Sequence, residues 1–115
     1  MAKPELDVKV RLMSRGERAL GPGKADLLER IAQLGSISAA AKAMSMSYSR
    51  AWQLVDAMNR AFKTPLVQAA TGGARGGGAR VTALGLEVLA GYRAMQSAVE
   101  AAANTHLPAF QKFLK

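Results

Sequence analysis

Apolar positions follow two periods along the chain, and the changes of period mark its elements. Leu6, Val8, Val10 and Leu12 alternate with Asp7, Lys9 and Arg11. That period of two predicts a half-buried strand. Ser14-Arg15-Gly16 turns the chain, and Glu17–Leu20 is placed to return as a short second strand. Gly21-Pro22-Gly23 is a break with proline at a helix start. The period then becomes helical: Leu27, Leu28, Ile31 and Leu34 share one face, Asp26 favours the early dipole, and Gly35 is the C′ residue. The polar face of that helix, Lys24, Glu29, Arg30 and Gln33, is expected to face solvent.

Ser36 can cap a second helix. Ile37, Ala40, Ala41 and Met44 fall on one of its faces, and Ala39–Ala41 permit close approach. Met44-Ser45-Met46 is a turn, with the methionines read as packing residues. Ser47 caps a third helix, whose stripe is Ala51, Trp52, Val55, Met58 and Phe62. Lys63-Thr64-Pro65 ends it. Leu66–Ala69 reads as a short strand. Five of the residues between 72 and 78 are glycine. With Val81 and its neighbours returning as the paired strand, residues 66–81 predict a β-hairpin with a basic tip, a wing. Thr82 caps a helix running to about Asn104, with Leu84, Leu86, Val88, Leu89, Tyr92, Met95 and Val99 as a broad apolar surface. That is more than so small a domain can cover, so a second copy of the chain is the expected partner. Pro108 breaks the helix, and Phe110, Phe113 and Leu114 either pack back or fray.

Length and charge narrow the function. The chain has 115 residues, one histidine, no cysteine and a net charge of +8. One domain is expected, a thiolate or histidine metal site is not, and a polyanionic partner is favoured. Aromatic residues make up 5% of the chain, too few for a single-strand stacking platform. No apolar run is long enough to span a bilayer. The N-terminus lacks a signal-peptide h-region, which predicts a cytoplasmic location. Asp56 and Glu29 stand as isolated carboxylates and His106 lies near a chain end, so no acid–base constellation is expected and an enzyme is not. The glycine run lacks the Lys-Ser or Lys-Thr of a P-loop and the parallel-sheet unit of a dinucleotide fold.

The informative residues lie at the start of the third helix. Ser47, Ser49, Arg50 and Gln53 are polar and off the apolar stripe. Arg can grip guanine through two donors and Gln can pair with the adenine edge. Serine hydroxyls and free N–H groups at a helix start suit phosphate oxygens. Two helices and a tight turn would place this end in a major groove. The alternative is a helical hairpin with a solvated polar face. Lys42 is either a phosphate contact or a solvated charge, and Tyr48 either packs or offers its hydroxyl to a phosphate. Trp52 is expected in the core.

Several stretches resemble one family: GSIS at 35–38 followed by AAAKAM, MSYSRAWQLVDAMN at 46–59, PLV at 65–67, and TGGARGGGAR at 71–80 leading into VTALG. Together they are similar to the N-terminal domain of the ModE family of molybdate-responsive bacterial regulators, akin to the LysR type. The likeness runs from about Leu6 to about Ala94. It implies a mainly α winged helix-turn-helix with small β-hairpins that binds operator DNA as a homodimer. Residues 1–81 would form the DNA-binding domain; 82–115 would be the dimerisation helix and tail. The implied DNA-binding residues are Ser36, Ser38, Lys42, Ser47, Tyr48, Ser49, Arg50 and Gln53 in the helices, with Thr71, Gly72, Gly73, Arg75 and Arg80 in the wing. The implied dimer surface is Leu84, Val88, Leu89, Tyr92, Met95 and Val99, together with the N-terminal strands. The regulated genes would be those of molybdate uptake and molybdoenzymes. The family's C-terminal molybdate-binding domains fall outside this sequence, which is read as either a short member or a fragment. Molybdate binding is therefore in doubt, and no cofactor is expected. The competing readings are a helical interaction protein and an architectural protein with non-specific DNA binding.

Overall fold

A computed structural model of the chain describes residues 3–70 and 78–115. The order is β1 (Leu12–Ser14), β2 (Glu17–Leu20), α1 (Pro22–Leu34), α2 (Ile37–Ala43), α3 (Tyr48–Ala61), β3 (Val67–Ala70), β4 (Gly78–Val81), α4 (Ala83–Asn104) and a 3-10 helix, Leu107–Phe113. It is mainly helical, with two antiparallel two-stranded hairpins, β1–β2 and β3–β4. The principal extents are 59 × 29 × 22 Å. The long axis owes much to α4, since 22 helical residues span about 33 Å.

The expected start and stop signals act as anticipated. Ser36 Oγ accepts from Ala39 N at 3.1 Å, Ser47 Oγ from Arg50 N at 3.0 Å, and Thr82 Oγ1 from Gly85 N at 3.0 Å. Each satisfies an orphan donor of a first turn. Gly35 adopts φ 69° and its N–H returns to Ile31 O. Its carbonyl then accepts from Ala79 N at 2.9 Å, joining the end of α1 to the wing stem. The turns at 14–16 and 44–46 use positive φ at Arg15, Gly16 and Ser45.

One core runs through these elements. Leu20, Leu27, Leu28, Ile31, Val55, Met58 and Leu66 are completely buried, joined by Ala25, Ala40 and Ala51. The small alanines let α1, α2 and α3 approach closely, as the run Ala39–Ala41 predicts. Met44 and Met46 pack on the periphery of this core.

Four expectations change. The strand expected over 6–12 begins only at Leu12; residues 3–11 form an arm with no ladder. Its alternation is used differently: Val10 packs on the core and its carbonyl accepts the Tyr92 hydroxyl at 2.7 Å. Leu34 is 48% exposed, because the last turn of α1 runs beyond the core before Gly35 reverses the chain. Trp52 is 43% exposed. Ala51, Val55 and Met58 fill the core face of α3, and Trp52 lies one residue, or 100°, beyond Ala51 on that helix. The polar face of α1 is not simply solvated either. Arg93 of α4 reaches Asp26 at 2.8 Å and Glu29 at 3.4 Å, clamping α4 to α1. The bond to Asp26 raises the Arg93 pKa above its ordinary value, so the guanidinium stays charged.

Candidate nucleic-acid interface

The geometry of α3 follows from 3.6 residues per turn. With Ala51, Val55 and Met58 inward, Ser49, Gln53, Asp56 and Arg60 form the outward crest, and all four are exposed. Arg60 Nε meets Asp56 at 3.2 Å, an exposed pair within the helix. Tyr48 and Trp52 occupy one flank. Arg50, Leu54, Ala57 and Ala61 occupy the other.

The Tyr48–Trp52 flank faces the wing stem. Their rings meet edge-on with centroids 6.4 Å apart, and the Tyr48 hydroxyl accepts from the indole N–H. With Ile37, Ser38, Val67, Gln68 and Ala79 they line a recess of about 340 Å³ between α2, α3 and the hairpin. Tyr48 is 53% exposed, so it is not packed in the core. Ser36 and Ser38 lie at the start of α2, beside this recess. Arg80 lies exposed opposite Gln68 in the stem and donates to its Oε1 at 3.3 Å. Thr71, Gly72, Gly73 and Arg75 lie outside the described residues. Lys42 is exposed in the last turn of α2, where a cation also suits the helix dipole.

The other flank faces the N-terminal hairpin. Arg50, Gln53, Leu54 and Ala57 wall one side of a cleft of about 610 Å³, and Lys9, Arg11, Arg18 and Lys24 wall the other. Lys24 Nζ donates to the Arg18 carbonyl at 2.6 Å. Burial lowers the Lys24 pKa, and the nearby Arg18, Arg50 and Arg60 push it the same way against Glu17. Periodicity assigns Lys9, Arg11 and Lys24 to solvated faces and leaves Arg18 unremarked, and a charge count does not show that the four converge.

The sequence reading overlooks Asn59. Its Oδ1 accepts from Leu66 N at 2.8 Å and Val67 N at 3.1 Å, and its Nδ2 donates to Val67 O at 3.1 Å. One amide thereby fixes the start of the wing to α3. No periodicity signals this, since a polar residue beside the stripe reads as solvated.

The residues expected to form a dimer surface differ in exposure. Tyr92 is 3% exposed within its own chain. Burial raises its pKa, so the hydroxyl stays protonated and able to donate to Val10. Its ring is occupied inside the subunit and is not available to a partner. Leu84, Val88 and Leu89 are partly buried against the core, whereas Leu86, Met95 and Val99 are exposed.

Among the described residues there is no cluster of His, Cys, Asp and Glu suited to a metal ion. No described helix is long and apolar enough to cross a membrane.

The chain is similar to several known proteins. It is 38% identical over 99 residues to molybdenum-pterin-binding protein MopA of Rhodobacter capsulatus, covering 86% of this chain and 37% of the relative. It is 42% identical over 71 residues to the DNA-binding transcriptional dual regulator ModE of Escherichia coli K12, covering 62% of this chain and 27% of the relative. The chain thus spans about a third of the length of these curated relatives. Its fold matches the crystal structure of the CbnR DBD–DNA complex with a TM-score of 0.61 at 18% identity, covering 77% of this chain and 97% of that one. Residues 23–86 match the bacterial regulatory helix-turn-helix proteins of the lysR family, a span from the first turn of α1 to the start of α4, and the chain belongs to that family.

Proposed function

We propose that this chain binds double-stranded operator DNA in a sequence-dependent way, as a homodimer, and regulates transcription. The carrying observation is the exposed crest of α3, with Gln53 and Ser49 outward, Arg50 beside them, and the wing stem and a basic cleft on its two flanks. Gln53 and Arg50 reach base edges. Ser36, Ser38, Ser47, Tyr48 and Arg80 serve backbone phosphates, as does Lys42. The cap hydroxyls of Ser36 and Ser47 accept from the helix and keep their own protons for a phosphate oxygen. Residues 1–81 carry the interface and 82–115 the self-association. The ModE and MopA likenesses support a regulon concerned with molybdenum. A cytoplasmic location, no turnover chemistry and no cofactor complete the reading.

Arg50→Ala is expected to weaken binding to the matched operator by about 1–3 kcal/mol and to relax preference at one base pair. Titration against matched and single-mismatch duplexes at fixed salt measures both. Equal losses on all duplexes would make Arg50 a phosphate contact. A ratio of operator to bulk-DNA affinity near one would favour the architectural reading.

The homodimer rests on α4 beyond Arg93, where Met95 and Val99 stay exposed on a helix that the domain does not cover. Met95→Asp with Val99→Asp is expected to give a monomer by light scattering that keeps the parent's circular-dichroism spectrum and melts at a temperature independent of protein concentration. A parent protein that is monomeric at micromolar concentration, or a dimer that survives both charges, would remove α4 from the interface.

A further inference from the structure

The cleft beside Arg50 does not end there. Farther along the same flank of α3, a second cleft of about 620 Å³ opens between the tip of the β1–β2 hairpin and the end of the helix. Arg15, Arg18, Lys24, Arg60 and Lys63 line it, with Glu17. Together the two clefts gather eight of the sixteen Lys and Arg residues of the chain against one carboxylate, Glu17. The described ion pairs join Arg60 to Asp56 and Arg93 to Asp26 and Glu29, and none involves Arg15, Arg18, Lys24 or Lys63. So many like charges with so little compensation repel one another. The fold nevertheless holds them together, because β2 supplies Ala19 and Leu20 to the core and so sets the hairpin beside α3.

We infer that the β1–β2 hairpin and the flank of α3 facing it form a second phosphate-binding edge, which grips the DNA backbone on the side of α3 opposite the wing, through Arg15, Arg18, Lys24 and Lys63. This rests on the reading that α3 enters DNA. Three features support the duplex backbone as the occupant. The edge is continuous with Arg50 and Gln53, which line its first cleft. It is elongated: from Arg50 to Arg60 the helix advances about 15 Å. One strand presents a phosphate every ~3.4 Å of duplex axis, so a row of this length can meet several. And Arg15, Arg18 and Lys63 are exposed, as side chains that trade counterions for phosphates must be. The wing and the hairpin then hold α3 between them, so the two walls of one groove are each met by a basic β-hairpin.

The test replaces Arg15, Arg18 and Lys63 by glutamine in the full chain and measures affinity for one operator duplex across a salt series. Each phosphate contact contributes about 0.9 to the slope of log K against log salt. The triple variant is therefore expected to flatten the slope by roughly 2–3 per protomer, about 5 for a dimer on a two-half-site operator, and to lose hydroxyl-radical protection at one edge of each half-site, with matched-to-mismatched preference kept. A charge-matched control, Arg30→Gln with Lys112→Gln and Lys115→Gln, should leave slope and footprint near those of the parent. Circular dichroism and melting confirm that both variants fold. A triple variant with the parent's slope and footprint overturns the inference. So does one that changes only the oligomeric state, because the hairpin then faces protein. If the triple variant is silent while Arg50→Ala still loses affinity, the inference alone fails. If the parent shows no salt-dependent duplex binding, the proposed function fails with it.

Discussion

Asn59→Ala is expected to cost about 3 kcal/mol of stability, the sum expected when buried backbone groups lose their partners at ~1–3 kcal/mol each. Leu66 and Val67 are buried, and their N–H groups both end on Asn59 Oδ1. A loss of that size lowers the melting temperature by roughly 12–24 °C for a domain near 100 residues. Asn59→Asp separates the two halves of the amide. It keeps an acceptor for the two N–H groups but turns an oxygen toward the Val67 carbonyl, which Nδ2 had served. Its stability should fall between parent and alanine variant. A melting temperature within 3 °C of the parent for Asn59→Ala would show, on the scale of about 4–8 °C per kcal/mol, that the wing stem holds itself. The functional consequence concerns order. α3 and the wing can meet one DNA surface only if their relative position is fixed, and this side chain fixes it.

Gly85→Ala is the second large effect, and its sign is diagnostic. In an open helix, alanine would stabilise by about 1 kcal/mol over glycine. At Gly85 a Cβ would lie 2.5 Å from Leu66 O, 2.6 Å from Val81 Cγ1 and 3.2 Å from Leu66 C. Leu66 O cannot retreat cheaply, since it accepts from Thr82 N at 2.9 Å and from Thr82 Oγ1 at 3.3 Å. Overpacking of this kind costs about 1–3 kcal/mol, occasionally more, so a net loss near 2 kcal/mol is expected after the helix gain is offset. Gly91 in the same helix has nothing within 4 Å of such a Cβ. Gly91→Ala should therefore stabilise by about 1 kcal/mol. Thermal melts of the two variants give opposite shifts if the first turn of α4 seats on Leu66 and Val81. Two positive shifts would mean that its first turn sits farther out. Because α4 carries the proposed dimer surface, a displaced first turn in Gly85→Ala should also weaken self-association, which Gly91→Ala should leave intact.

The local chemistry of the chain fixed its elements. The serine and threonine caps, the αL glycine at 35, the turn at 44–46 and the 3.6 period of α1, α3 and α4 are short-range instructions, and the structure obeys them within a residue or two. The helix-turn-helix, its polar first turn and the wing stem were all legible on that basis. The fate of residues near the edge of a stripe was not. Trp52, Leu34 and Tyr92 differ in burial from the pattern or its consequence because periodicity gives a residue's angle on its own element, while burial depends on how wide the neighbouring surface is. Tyr92 is buried by an arm some eighty positions earlier in the chain.

What the sequence determined by itself was a basic winged helix-turn-helix of lysR type, with a serine-capped helix presenting Arg and Gln. Only the tertiary structure decided where eight cations gather, that Asn59 ties the wing to α3, and that Arg93 clamps α4 to α1. The physical reason is range. Caps, turns and amphipathic stripes act over three or four residues, whereas the field at a surface and the satisfaction of a buried amide depend on groups that only the packed fold brings together.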